Sequence, residues 1–393
     1  MSSTDRVLVL NAGSSSLKFG VYPAEAEAGA VLRGEVAAIG RRPSLRLTKG
    51  GDGQRGDAVI SGDEPDHAAV LNRLLPWLRG CLDGELVAAG HRVVHGGTQF
   101  AEPTRIDDAT LEALHGLAPL APGHQPHNLA PVEAIRREMP RLPQIACFDT
   151  AFHRSQPDVA QRFALPRAYH DAGIRRFGFH GLSYESIAAQ LPTQLGAGAD
   201  GRVVVAHLGH GASMTALHER RSIATTMGFT ALDGLPMAKR CGALDPGVIL
   251  YLSQQQGMGM DDIADVLHNR SGLLGVSGES DDVADLLQST SQSAREALEL
   301  FTYSAARAVG SLTAALEGLD ALVFTAGIGE NAPAIREALA ARLGWLGASL
   351  DDDANERSAT RIDATDSRLP LLVLHTDEEA VIAEATRRLA VSG

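Results

Sequence analysis

The sequence predicts an α/β fold with its architecture repeated in two lobes. Three observations carry that prediction. Short apolar runs alternate with stretches of helical spacing along most of the chain, the order expected of strands covered by helices. A strand–Gly/Ser turn–strand unit occurs near the N-terminus and again past the middle of the chain. The 393 residues exceed what one simple core holds and suit two.

Val7 to Leu10 reads as a buried strand, Asn11 to Ser16 as a tight turn, and Leu17 to Tyr22 as the returning strand. The same grammar recurs with Arg202 to Leu208, Gly209 to Ser213 and Met214 to Leu217. Local pattern alone fits two unrelated hairpins as well as a duplication. Helical spacing covers Asp107 to Leu117 and Pro131 to Glu138, with Pro119, Pro122 and Pro126 marking an irregular loop before the second. Lys49 to Gly56 reads as a surface loop. Leu142 to Phe148 is an apolar run that delivers Asp149 at its end. Helices follow at Ser183–Leu191, Pro246–Gln255, Asp261–Leu267 and Ser293–Leu316. A strand at Ala321–Phe324 feeds Thr325 to Asn331 and then a helix from Ala332. The last strand is Leu369–Leu374 and the last helix Glu378–Leu389.

Composition narrows the function. A formal charge of -13 argues against nucleic acid, whose phosphates reward clustered Lys and Arg. Cys81, Cys147 and Cys241 are widely spaced, which suits neither a disulfide framework nor a zinc site and fits a reducing cytoplasm. No apolar stretch reaches membrane-spanning length, and the first apolar run is short for a signal peptide. A soluble, unexported protein is expected.

Three segments have the character of phosphate-binding turns: Asn11–Ser16, including Ser14 and Ser16; His207–Ser213; and Gly327–Asn331. Glycine lets the backbone approach an anion, and successive N–H groups form a nest around it. The Walker pattern is absent, so the P-loop class is excluded. Lys18 stands close enough to the first turn to act as a point charge. Arg92 and Val94 alternate, so a strand through them puts a guanidinium beside an apolar side chain, a pairing suited to a small carboxylic acid. Arg240 lies in a second Gly-flanked loop, and phosphoryl transfer needs positive charge around the phosphoryl in flight. His180 stands between aromatic residues and glycines, and Asp149 is set among apolar neighbours. No HExxH spacing supports zinc, whereas a magnesium–nucleotide site needs only one or two protein oxygens. Asn11, Asp149 and Glu378 can supply them.

Together these segments resemble the acetate kinase family. The matching stretches are Asn11–Lys18, Gly90–Gly97, Phe148–His153, Gly178–Gly181, Arg240–Pro246 and Phe324–Asn331, in family order over nearly the whole chain. The resemblance implies two ribonuclease H-like (actin-like ATPase) lobes with nucleotide in the interlobe cleft, a homodimer, and Mg2+ (Mn2+ as a substitute) with ATP/ADP. Residues 1–150, completed by the helix 379–393, would form the N-terminal lobe, and 151–378 the nucleotide-binding lobe.

Position by position, the resemblance implies Asn11 and Glu378 for the metal. Lys18 and the loop of His207, Leu208, Gly209, His210 and Gly211 would hold phosphate. Gly327, Ile328, Gly329, Glu330 and Asn331, with Asp282, Val283 and Ala284, would lie on the adenosine side. Arg92 would bind the carboxylate, Asp149 would be the catalytic acid, and His180 and Arg240 would stabilise the transition state. Val94, Gly123, Phe179 and Ala231 would line the acyl pocket.

The chain departs from the family pattern at His210, Asp377, Val283–Ala284, Gly123 and Ala231. The last two reduce side-chain volume, so propionate is expected alongside acetate. Propionate or butyrate kinase is the nearest alternative. A chaperone-like ATP switch would not require Arg92, Asp149, His180 and Arg240 together. A sugar kinase would favour Asp, Asn and Gln over Val94 and Phe179.

Overall fold

The computed structural model describes residues 4–13, 15–25, 29–49, 60 and 66–391. The chain divides into two compact units, Met1–Phe152 with Asp377–Gly393, and His153–Thr376.

The first unit is built on a seven-stranded sheet. Its strands are β1 (Arg6–Ala12), β2 (Leu17–Pro23), β3 (Leu32–Ala37), β4 (Ser44–Lys49), β5 (Leu86–Val93), β6 (Thr104–Arg105) and β7 (Gln144–Phe148), in the order β4-β3-β2-β1-β5-β7-β6. β1 and β2 form the expected hairpin, with Asn11 opposite Lys18 and Ala12 opposite Leu17. β5 and β7 extend the sheet in parallel, which brings Arg92 beside Cys147. Alternation along β1 sends Leu8, Leu10 and Ala12 into a core shared with Leu71, Leu74 and Leu78 of helix His67–Cys81 and Ile135 of helix Gln125–Glu138. Val7 and Ala88 occupy another cluster, joined by Ala390 of the terminal helix Glu378–Val391. That helix crosses so close to β5 that a Cβ on Gly90 would lie 2.1 Å from Thr386 Oγ1 and 2.6 Å from Ile382 Cγ2.

The second unit has a five-stranded sheet of β8 (Val203–Leu208), β9 (Ala212–His218), β10 (Arg221–Thr225), β11 (Ala321–Thr325) and β12 (Leu371–Val373), in the order β10-β9-β8-β11-β12. Two antiparallel pairs are followed by two parallel ones, as in the β3-β2-β1-β5-β7 part of the first sheet. The 25-residue helix Gln292–Leu316 packs on β8, β9 and β10.

Three expectations change. Helix Gln125–Glu138 starts six residues before Pro131, because Pro126 occupies its first turn, where a missing N–H costs nothing. Pro119 lies in a 3-10 turn, Ala118–Leu120. Gly327 to Asn331 is no open nest but most of a short helix, Ala326–Asn331, and the left-handed residue that makes the turn is Ala326 (φ 67°). Of the Lys49–Gly56 loop, Lys49 closes β4, and the rest lies outside the described residues.

Candidate active site

In the first unit, several candidate side chains gather where β1, β5 and β7 end. Asp149 follows β7 directly and is buried at 1% exposure. Arg92, half-buried near the end of β5, donates from Nε to Asp149 Oδ1 at 3.1 Å and from Nη2 to Oδ2 at 2.6 Å. This two-pronged pair is the strong form of a charge-assisted hydrogen bond. Arg92 Nη1 donates to Asn11 Oδ1 at a longer 3.4 Å. Burial opposes the guanidinium's charge, but Asp149 and Glu378 outweigh it and raise its pKa. Asn11, Arg92, Asp149 and Glu378 thus form one electrostatic group.

Val94 does not share a strand face with Arg92 in the expected way, because β5 ends at Val93. Its N–H is held by Asn128 Oδ1 at 2.9 Å, and Asn128 Nδ2 donates to Ala12 O at 2.6 Å. One amide thereby ties the ends of β1 and β5 together. Gln125 does the same for His95, accepting from its N–H at 3.2 Å and donating to its carbonyl at 3.1 Å. The first turn is closed by Gly13 N–H on Ser16 O at 2.8 Å and braced by His67 Nε2, which donates to Gly13 O at 2.8 Å. Ser14 lies outside the described residues. Lys18 is exposed on β2. Gly123 is exposed, and a side chain added there would meet nothing within 4 Å.

In the second unit, His180 ends the Gly178–His180 turn in the left-handed region (φ 58°) and precedes helix Gly181–Leu195. Its ring stacks on His207, the centroids 4.1 Å apart and the planes 20° from parallel. His180 Nδ1 bonds Ser213 Oγ at 2.8 Å, and His207 Nδ1 bonds Ser183 Oγ at 2.8 Å. The turn from β8 to β9 runs past these rings. A Cβ on Gly211 would come within 3.1 Å of both His180 Nε2 and Arg240 Nη2, so only glycine leaves that space open. Arg240 Nη1 donates to Ala231 O at 2.6 Å, and Ala238 N–H to His210 O at 3.2 Å, joining the Arg240 loop to the turn. Leu208 is buried in β8, Gly209 is half-buried and His210 is exposed. Phe179 is buried, and its carbonyl accepts from His153 Nε2 at 2.8 Å.

The residues expected on the adenosine side are a mixed set. Val283 is buried in its helix, so it presents no surface to a base, while Asp282 and Ala284 are exposed and Asp282 caps that helix. Glu330 accepts from Ala326 N–H at 2.9 Å and pairs with His375 Nδ1 at 2.7 Å, which commits its carboxylate within the loop. Asn331 and Gly327 are exposed, Ile328 is half-buried and Gly329 is buried. Fully buried Arg336 underpins this segment by donating to the Gly329 and Glu330 carbonyls at 3.0 Å each.

Asp377 carries no unmatched charge. It caps the terminal helix by accepting from Ala380 N–H at 2.9 Å, and Arg33 Nη2 pairs with its carboxylate. Arg33 Nε also lies 3.5 Å from Glu379 Oε2. Sequence reasoning missed Arg33, Asn128, Gln125 and Tyr184, whose partners are distant along the chain, and Arg336, whose carbonyl partners are nearby but brought together only by the fold. Ser213 was within a turn already singled out. Among the described residues no group of three or more His, Cys, Asp or Glu is arranged to hold a metal ion. The amide oxygen of Asn11 and the carboxylate of Glu378 are hard donors that suit magnesium carrying nucleotide and water.

A family model described as the acetokinase family matches residues 6–384. An acetate kinase of Rhodopseudomonas palustris is 51% identical, with 99% of this chain and 100% of the relative covered. One of Nitrobacter hamburgensis is 48% identical over 98% and 96%. Among solved structures, a propionate kinase from Francisella tularensis matches with a TM-score of 0.91 at 34% identity, over 98% of this chain and 99% of that one. Porphyromonas gingivalis acetate kinase matches with 0.87 at 34% identity, over the same shares.

Proposed function

Because the chain belongs to the acetokinase family, we propose that it transfers the γ-phosphate of ATP to acetate by direct in-line displacement, reversibly. An acetate oxygen forms a bond to the γ-phosphorus as the bond to the β,γ-bridging oxygen breaks, giving acetyl phosphate and ADP. The observation that carries this reading is the approach of His180 Nε2 and Arg240 Nη2 to the same open space at Gly211. Two donors side by side suit the equatorial oxygens of a phosphoryl group in flight, where catalysis is mainly positioning and charge stabilisation.

Arg92 takes the acid's carboxylate, and Asp149 fixes the plane of its guanidinium. Lys18 and the turn His207–Gly211 bind phosphates, while Gly327–Asn331 with Asp282 and Ala284 serves the nucleoside. Asn11 and Glu378 would hold the magnesium of Mg-ATP, which neutralises charge on the β- and γ-oxygens. The small side chains at Gly123 and Ala231, where the family carries larger ones, support use of propionate alongside acetate.

The protein acts in the cytoplasm as a homodimer. The wide spacing of Cys81, Cys147 and Cys241, with no CxxC pair, supports the first part. For the second, helix Pro246–Gln254 buries none of its residues although it reads Pro-Gly-Val-Ile-Leu-Tyr-Leu-Ser-Gln, an apolar face of the kind that partners cover. No helix among the described residues is long and apolar enough to cross a membrane.

The test is to trap acyl phosphate as hydroxamate from purified protein, Mg-ATP, and acetate, propionate, butyrate or glycerol in turn. Product from acetate is expected, and no product from any acid rejects the reading.

A further inference from the structure

Ser213 is fully buried between two partners, His180 Nδ1 at 2.8 Å and Tyr184 OH at 2.5 Å. The serine hydroxyl has one proton to give, so the direction of this chain matters. A phenol is the stronger donor and an aliphatic hydroxyl the better acceptor. The 2.5 Å separation marks the Tyr184–Ser213 contact as the tyrosine's main bond, although Thr215 also lies beside the phenol. Tyr184 therefore gives its proton to Ser213, and Ser213 gives its own to His180 Nδ1. A ring nitrogen that accepts cannot carry the proton in the neutral imidazole, so the proton resides on Nε2.

We infer that Tyr184 and Ser213 are positioning residues that lock His180 as its Nε2–H tautomer, directing a donor into the space beside Gly211 and Arg240. Without the lock, the neutral ring can place its proton on Nδ1 and turn a lone pair towards the phosphoryl oxygens, exchanging an attraction for a repulsion. The backbone assists. His180 is held in the left-handed region, and the His207 ring packed on its face restricts rotation about the side chain. Tyr184 keeps its place by an edge contact with His153, the centroids 5.6 Å apart. The serine on His207 Nδ1 makes a parallel arrangement, though Ser183 has no tyrosine behind it in the described contacts.

The inference rests on His180 acting in transfer, and the experiment separates the two claims. Tyr184→Phe removes one oxygen from a buried site, and Ser213→Ala removes the relay itself. Nitrogen-15 spectra of histidine-labelled protein report the tautomer directly, with His180→Ala identifying the resonance. The wild type is expected to show the Nε2–H pattern, and Tyr184→Phe a shift towards Nδ1–H. Its kcat should fall roughly tenfold, the loss of about one charge-directed donor bond, while KM for acid and ATP stays within about twofold. Tyr184→Phe with an unchanged tautomer and kcat overturns the inference, even if Ser213→Ala does not fold. If His180→Ala leaves kcat intact, it is the catalytic reading of His180 that fails.

Discussion

Arg92 and Asp149 grip each other through two hydrogen bonds of 3.1 and 2.6 Å, with the carboxylate all but sealed from solvent. Removing either group costs the other its two-pronged partner. Arg92→Ala should raise KM for the acid steeply and cost about 3–5 kcal/mol of stability, because a buried carboxylate loses its cation. Asp149→Asn should cost less stability, since an amide oxygen can still accept one N–H, but should lower kcat. Acid kinetics paired with denaturant midpoints would check both. An Arg92→Ala protein with unchanged KM places the carboxylate elsewhere.

Acid should weaken the fold before it protonates the carboxylates. Burial lowers the pKa of His91, His95 and His153 from 6.5 to about 4, offset partly at His91 by Gln144 and at His153 by the Phe179 carbonyl. The unfolded chain therefore takes up protons at these sites first. Their contribution is intact above 6.5 and is lost as pH falls towards 4, at about 1.4 kcal/mol per pH unit for each residue. Urea midpoints should be flat from pH 8 to about 7 and fall steeply below about 6. A flat curve down to about pH 5 would contradict this.

Gly90→Ala should destabilise the first unit. The new methyl would overlap Thr386 Oγ1 at 2.1 Å, forcing the terminal helix off β5, and overpacking of this kind costs about 1–3 kcal/mol or more. Calorimetry should show a lowered first transition. Adding Thr386→Ala or Thr386→Gly should recover part of the loss.

Substrate size should respond to the two small residues. Gly123→Leu has room for its side chain, and combined with Ala231→Pro it should lower kcat/KM for propionate more than for acetate. A methylene is worth about 1–3 kcal/mol of discrimination, so a ratio change of roughly tenfold is expected. An unchanged propionate-to-acetate ratio would remove both residues from the acyl pocket.

The exposed helix Pro246–Gln254 gives a separate prediction. Leu250 and Tyr251, 56% and 55% exposed, should become buried on dimerisation. The double substitution Leu250→Glu, Tyr251→Glu should convert a dimer into a monomer in light scattering, with the circular dichroism unchanged. A monomeric wild type would refute the homodimer.

Strands were the most legible part of the molecule. Leu17 to Tyr22 and Arg202 to Leu208 carry enough apolar residues to declare a buried strand, and a Gly/Ser turn limits where it ends. Local signals misled where two residue types compete for one role. Pro126 reads as a breaker yet starts a helix, and Gly327 and Gly329 read as a nest although Ala326 takes the left-handed conformation. Candidate site residues could be named from the sequence, but their pairings could not. Nothing local links Arg33 to Asp377, 344 positions away, or shows that the Glu330 carboxylate is already committed to its own loop. Hydrogen-bond partners brought together by sheet order are long-range facts, and one sequence carries no direct trace of them.

The return of the last helix to the first sheet also orders the molecule's birth. The second unit is one continuous stretch, His153 to Thr376, and draws on no segment from elsewhere in the chain. The first unit is translated earlier and finishes later. Val7, Ala88 and Gly90 wait for Glu378–Val391 to cover them, so a truncation ahead of Glu378 damages the portion of the protein that was made first.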